Sequence, residues 1–253
     1  MPQDFVKDAI LEAARRLPGY PKLSVLDLSC GRGEILAALA RDGCRVRGTH
    51  YRGDDYKLTE RSGPIETAGL PIDPDVDLTK PLAYPDGSFD LVVLAEVLEH
   101  LPDHRTVVAE AARVLAPGGH LLLSTPNLAR LHSRLHFFWT GTHKLIRRRV
   151  GWDLPPDALY AYHTNPVDFP LLHTLLFQAG LRVERLDFTR FKWRHAWLLA
   201  GYLWVWLATR LETSRRLTGD AHAAGERDLF RWMVHPAMLG SEQLLLTARK
   251  AHG

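Results

Sequence analysis

Only two cysteines, Cys30 and Cys44, occur in 253 residues. That excludes a disulfide framework and points to a reducing compartment. A membrane-spanning run is missing too: Ala196 to Thr209 is free of charge and apolar on every face, but its 14 residues fall short of the roughly 20 a span needs. The opening segment MPQDFVKDAILEAARRLPGY is an amphipathic helix with charges throughout, without the apolar core of a secretory signal, so the expected location is the cytoplasm. Repeats and low-complexity tracts are absent. An excess of one charge is absent as well, since 32 Lys and Arg face 29 Asp and Glu.

The charges that are present are unevenly placed. Arg130 to Val150 carries six basic residues and no acid, and Arg190 to Arg216 six with one acid, leaving 20 basic against 28 acidic residues elsewhere. Two basic insertions, about 128–162 and 190–240 and rich in aromatics, therefore decorate an acidic body. Length and composition suit one α/β domain over 1–253 with a sizeable core.

Strand and helix patterns alternate. After the first helix the pattern predicts a strand at Ser24 to Leu28, a helix from about Glu34 to Arg41 and a strand at Arg45 to Thr49. FDLVVLA reads as a buried strand, HRTVVAEAARVLAPGG as a helix and HLLLSTPN as a strand. A helix at Val167 to Ala179, a strand at Leu181 to Phe188 and a last strand at EQLLLTARK complete the series. Such alternation predicts a mostly parallel sheet with helices on both faces.

The chain leaves its first strand through SCGRG, shedding side chains before a helix begins. Glycine there permits unusual backbone angles and close approach of a ligand, and the helix N-terminus favours negative charge. In a parallel sheet that turn lies at the ligand-binding carboxyl edge. It is neither the dinucleotide spacing GxGxxG, whose third glycine is replaced by Leu36, nor a GK[ST] phosphate loop.

LDLSCGRG, PLAYPDGSFDLVVLAEVLEHL and ARVLAPGGHLLLSTPN follow one another as in the class I S-adenosylmethionine-dependent methyltransferases. The chain closely resembles their ubiquinone-biosynthesis O-methyltransferase subgroup over roughly two thirds of its length, outside the two insertions. The resemblance implies a Rossmann-like, mostly parallel seven-stranded sheet and S-adenosylmethionine as cofactor. It places Asp27, Ser29, Cys30, Gly31 and Gly33 around the methionine part, Asp77 and Leu78 beside the adenine, and Glu96 in the same crevice. Asp77 is equally explained as a turn residue before Pro81, and Glu96 as a helix cap. One departure stands out: His50 occupies the position of the acid that accepts the ribose hydroxyls. A neutral imidazole accepts one hydrogen bond rather than two.

EVLEH places Glu96, Glu99 and His100 at i, i+3 and i+4, and His163 follows in YHTNP. If the segment is helical, two carboxylates and two imidazoles converge, a set that suits Mg or another divalent metal. Alternatively, His100 and His163 are bases that take a proton from an acceptor hydroxyl, or His100 is a packing residue.

The acceptor is expected to be a small, apolar or lipid-linked molecule methylated on oxygen. Trp197, Trp204 and Trp206 among flanking cations fit a membrane headgroup region, so 196–209 is a candidate peripheral membrane contact, or else a lid core or dimer interface. Two alternatives stand beside this enzyme: a non-catalytic methyltransferase-fold binding protein working through a basic, apolar lid, which His50 favours, and an RNA hydroxyl methyltransferase. Nucleic acid ranks last, because no RNA-binding module accompanies the cations.

Overall fold

The computed structural model describes residues 3–51, 69–143, 163, 165–192, 197, 200–215 and 220–251. In chain order the elements are α1 (Asp4–Arg15), β1 (Ser24–Asp27), α2 (Glu34–Asp42), β2 (Arg45–Thr49), β3 (Ile72–Asp73) and β4 (Phe89–Ala95). They continue with α3 (His104–Val114), β5 (Leu115–Pro126), α4 (Leu131–Thr140), α5 (Phe169–Gln178) and β6 (Leu181–Asp187). The last four are α6 (Tyr202–Arg215), α7 (Asp220–Met233), α8 (Pro236–Gly240) and β7 (Gln243–Lys250).

The strands form one seven-stranded sheet in the order β3-β2-β1-β4-β5-β7-β6. Every neighbouring pair is parallel except those of β7, which runs antiparallel to both β5 and β6. The predicted α/β class and parallel sheet are thus observed. Because successive side chains alternate across a strand, the continuous apolar runs feed two cores. Val25, Leu91, Val93, Leu122 and Leu245 face α1 and α2, while Leu26, Leu28, Val92, Leu94, Leu121, Leu123 and Leu246 face α3 and α5.

The helix expected to be ended by Pro117 and the glycines after it is shorter. It starts at the Asp103 cap, whose carboxylate accepts the Arg105 N–H, and ends at Val114. From Leu115 the chain is already β5, because Leu115 pairs with Phe89 and a proline at 117 cannot continue a helix.

Since β6 and β5 are both antiparallel to β7, the carboxyl ends of β1, β2, β4, β5 and β6 share one edge of the sheet. The turn after β1, the segment after β4, α4 after β5 and α6 after β6 all leave from that edge. Residues 144–162 and parts of 193–199 and 216–219 lie outside the described residues, and with them most of the first basic insertion. Among the described residues no helix is long and apolar enough to cross a membrane.

Candidate functional site

The turn after β1 is wound through three left-handed residues, Ser29 (φ 60°), Gly31 (φ 55°) and Gly33 (φ 72°). Gly33 is the N-cap of α2, so the turn leads directly into the start of a helix. β2 and β4 hold it in place. Leu28 N–H donates to the Val93 carbonyl at 3.0 Å, Ser29 N–H to Thr49 Oγ1 at 2.9 Å, and Cys30 N–H to the Thr49 carbonyl at 3.0 Å. Cys30 packs its sulfur over Gly48, where a Cβ would stand 2.9 Å from Sγ.

Asp27 ends β1 beneath this turn. It is 1% exposed, and neither carboxylate oxygen has a hydrogen-bond partner. Burial alone pushes its pKa up to about 8. A buried acid without a partner is costly, and it fits the ammonium of an amino-acid ligand seated against the turn.

His50 reaches back to the same turn, with Nε2 2.7 Å from the Gly31 carbonyl oxygen. Nε2 is therefore the protonated, donating nitrogen. The His50 carbonyl accepts the Val76 N–H at 2.8 Å, which sets Asp77 and Leu78 beside the end of β2. Asp77 closes a local turn: Oδ1 accepts from Thr79 N–H at 3.0 Å and Thr79 Oγ1 at 2.6 Å. Thr79 and then Lys80 hold its carboxyl below the usual range. Leu78 is 5% exposed, in the core under α3 and α5.

After β4 the chain does not continue as the α-helix that would gather EVLEH. Glu96 adopts a left-handed φ of 58°, and Leu98–His100 form one 3₁₀ turn. Glu96 is consequently turned toward Ser124, whose hydroxyl donates to Oε1 at 3.1 Å, and burial pushes its pKa up to about 7. Glu99 is completely buried; Oε2 accepts the Thr125 hydroxyl at 3.1 Å, while Oε1 has no hydrogen-bond partner. Burial first, and the Glu96 charge second, raise its carboxyl well above the ordinary range.

His163 is brought to this point by Asn165. The Asn165 N–H donates to the Glu99 carbonyl at 3.1 Å, and its side-chain amide donates to the Leu101 carbonyl at 2.9 Å. His163 Nε2 then lies 3.9 Å from Glu99 Oε1, and the His100 and His163 rings meet edge to face at 4.9 Å. Among the described residues, Glu99, His100 and His163 form the one group of three whose ligand atoms fall within 4.8 Å of one another. Glu96, expected as a fourth ligand, stands outside that group.

The family model described as a methyltransferase domain matches residues 26–123. The ubiquinone biosynthesis O-methyltransferase of Photorhabdus laumondii subsp. laumondii is 36% identical over 163 residues, covering 56% of this chain and 67% of that protein. The Cronobacter sakazakii protein of the same name is 34% identical over 173 residues, covering 61% and 70%. The chain belongs to the class I S-adenosylmethionine-dependent methyltransferases.

Solved methyltransferases agree on the fold. The S-adenosylmethionine-dependent methyltransferase of Archaeoglobus fulgidus superposes with a TM-score of 0.55 at 18% identity, covering 96% of this chain and 94% of that one. That of Mesorhizobium loti gives 0.52 at 20% identity, covering 97% and 98%. This methyltransferase is an enzyme whose cofactor is S-adenosylmethionine, and the non-catalytic reading is set aside.

Several residues around the methyltransferase site were not singled out from the sequence. Thr49, Ser124 and Thr125 sit at strand ends, where a short hydroxyl looks like an ordinary strand residue. Asn165 had a signal in the YHTNP turn that carries His163. Arg134 on α4 gave none: its Nε donates to the Ala129 carbonyl at 2.6 Å, while Nη2 is buried without a partner. Burial lowers its pKa.

Proposed function

We propose that this methyltransferase transfers the methyl group of S-adenosylmethionine to a hydroxyl of an apolar, lipid-linked acceptor. The observation that carries the reading is the Glu99, His100, His163 cluster at the carboxyl end of β4, on the same edge as the glycine turn. Asp27 and the turn from Ser29 to Gly33 hold the methionine part, Leu78 lies against the adenine, and Glu96 borders the crevice. Methyl transfer from a sulfonium is an in-line displacement in which alignment and water exclusion supply most of the rate. A hydroxyl acceptor additionally needs its proton removed, which an ionised carboxylate acceptor does not.

One carboxylate oxygen and two imidazole nitrogens within 4.8 Å, with the Glu99 Oε1 lone pairs buried and open, fit a divalent cation such as Mg. Bound there, the cation would lower the pKa of a coordinated hydroxyl. Thr125 orients the Glu99 carboxylate, and Asn165 fixes the backbone that carries His163. The names of the two relatives speak of ubiquinone biosynthesis and O-methyl transfer, which supports an oxygen acceptor on an apolar molecule. The exposed Phe137, Phe138 and Trp139 of α4, and the half-partnered Arg134 beside them, support an acceptor with an apolar tail and an anionic group.

The test follows a labelled methyl group from S-adenosylmethionine to prenylated and unprenylated catechols, with Mg or with a chelator. Expected is transfer to oxygen of the prenylated catechol that stops with chelator and in Glu99→Gln. Transfer that ignores both would overturn the assignment of Glu99.

A further inference from the structure

α6 is apolar on two opposite faces and, among the described residues, has a neighbouring helix on one of them. Its inner face, Tyr202, Val205, Trp206 and Thr209, is half-buried against α7. The Trp206 ring meets Phe230 with centroids 6.2 Å apart, and the Tyr202 hydroxyl donates to the Val234 carbonyl at 3.3 Å. At 100° per residue, Leu203, Trp204, Leu207, Ala208 and Leu211 occupy an arc of about 140° on the other side. All five are exposed: Trp204 by 75%, Leu203 by 73%, Leu211 by 49% and Leu207 by 42%. Between Leu203 and Leu211 no polar residue falls within that arc. Trp197, just before the helix, is 66% exposed.

A contiguous face of this kind in water marks an interaction surface. The charges around it identify the partner. Residues 190–216 hold six basic residues and one acid. Arg190 and Lys192 are spent on the buried Glu242, but Arg210 is exposed at the flank of the arc. Arg215 and Arg216 follow at the end of the helix in the sequence. Leucines and a tryptophan flanked by Arg210, in a segment with a basic excess, match the acyl boundary and headgroups of a negatively charged bilayer. A 14-residue helix is about 21 Å long, too short to cross about 30 Å of hydrocarbon but suited to lying in the interface plane.

We propose that the outer face of α6 docks the enzyme onto the surface of an anionic bilayer. The chain sets out toward α6 from the carboxyl end of β6, on the edge that carries the glycine turn and Glu99. The proposal stands apart from the acceptor and cation assignments, and its test uses neither.

The full chain is sedimented with vesicles of equal parts phosphatidylglycerol and phosphatidylcholine, and with phosphatidylcholine vesicles, while tryptophan emission is recorded. Expected is binding to the anionic vesicles with a blue-shifted emission, weakened by added salt and at least tenfold weaker on phosphatidylcholine. The double variant Leu203→Glu, Leu207→Glu, and separately Leu211→Glu, lose at least tenfold in vesicle binding while binding S-adenosylhomocysteine like the parent. Failure of the parent to bind anionic vesicles, or undiminished binding by folded variants, overturns the proposal. So does a dimer that these substitutions disperse without any lipid effect, since the face would then belong to a second copy.

Discussion

His50 Nε2 stands 2.7 Å from the carbonyl oxygen of Gly31. The side chain at the position where the family carries a ribose-binding acid is here a brace on the glycine turn. One such hydrogen bond contributes about 1 kcal/mol net, or about a fivefold change in a binding constant. His50→Ala is expected to weaken S-adenosylhomocysteine binding by roughly that factor with little change in Tm. His50→Gln, whose amide can still donate, should recover most of it. Equal loss in both variants, measured by calorimetric titration, would assign His50 to the cofactor itself rather than to the turn.

Gly31 adopts φ 55° inside that turn. A branched side chain in the left-handed region costs at least about 1–2 kcal/mol and crowds the backbone that approaches the ligand. Gly31→Val should therefore abolish cofactor binding while the two cores, built from other residues, keep the protein folded. Circular dichroism reports the fold and titration the binding; wild-type affinity in the variant would refute this assignment of the turn.

Those two positions also measure what the sequence disclosed. The fold was legible because buried parallel strands read as uninterrupted apolar runs, as in FDLVVLA, and because glycines at a strand end admit few explanations. EVLEH misled for a physical reason. Its i, i+3, i+4 spacing assumes an α-helix, and the left-handed Glu96 followed by a 3₁₀ turn diverts that carboxylate to Ser124. Glu99, His100 and His163 do converge, but through Asn165, a tertiary contact that no local spacing encodes. Asp77 was readable only as a choice between ligand and turn, and its bonds to Thr79 satisfy the turn. α6 showed its apolarity in sequence, yet which face was covered depended on α7.

Asn127 is buried at the end of β5, and its amide is fully used. Nδ2 donates to the Met238 carbonyl at 2.7 Å and the Ser241 carbonyl at 3.0 Å, while Oδ1 accepts the Ala129 N–H at 3.1 Å. It joins β5, the entry to α4 and the middle and C-terminal cap of α8. Asn127→Ala leaves two buried carbonyls and one N–H unpaired, a loss of about 2–4 kcal/mol by the usual cost of such groups. Denaturant unfolding should register it as a lower midpoint. An unchanged midpoint would mean that water replaces all three bonds.

Asp27 links stability to protons. Its pKa is about 8 in the fold, against an ordinary value of 3.8. Below pH 4 both folded and unfolded chains hold this proton and the group is neutral in its effect. Between about 4 and 8 the unfolded chain releases it while the empty enzyme retains it, so Asp27 makes stability fall as pH rises, by at most about 1.4 kcal/mol per pH unit. Asp27→Asn removes that slope. The empty variant should be more stable than the parent at pH 8, with the gain fading toward pH 4 in thermal unfolding. If the ionised carboxylate pairs with the ammonium of S-adenosylhomocysteine, the same variant binds it at least tenfold more weakly. Binding by the parent at pH 7 should then release a proton, visible as a heat that depends on the buffer's ionisation enthalpy. A variant that binds like the parent, with no proton released, would remove Asp27 from the cofactor site and leave its burial as a stability cost alone.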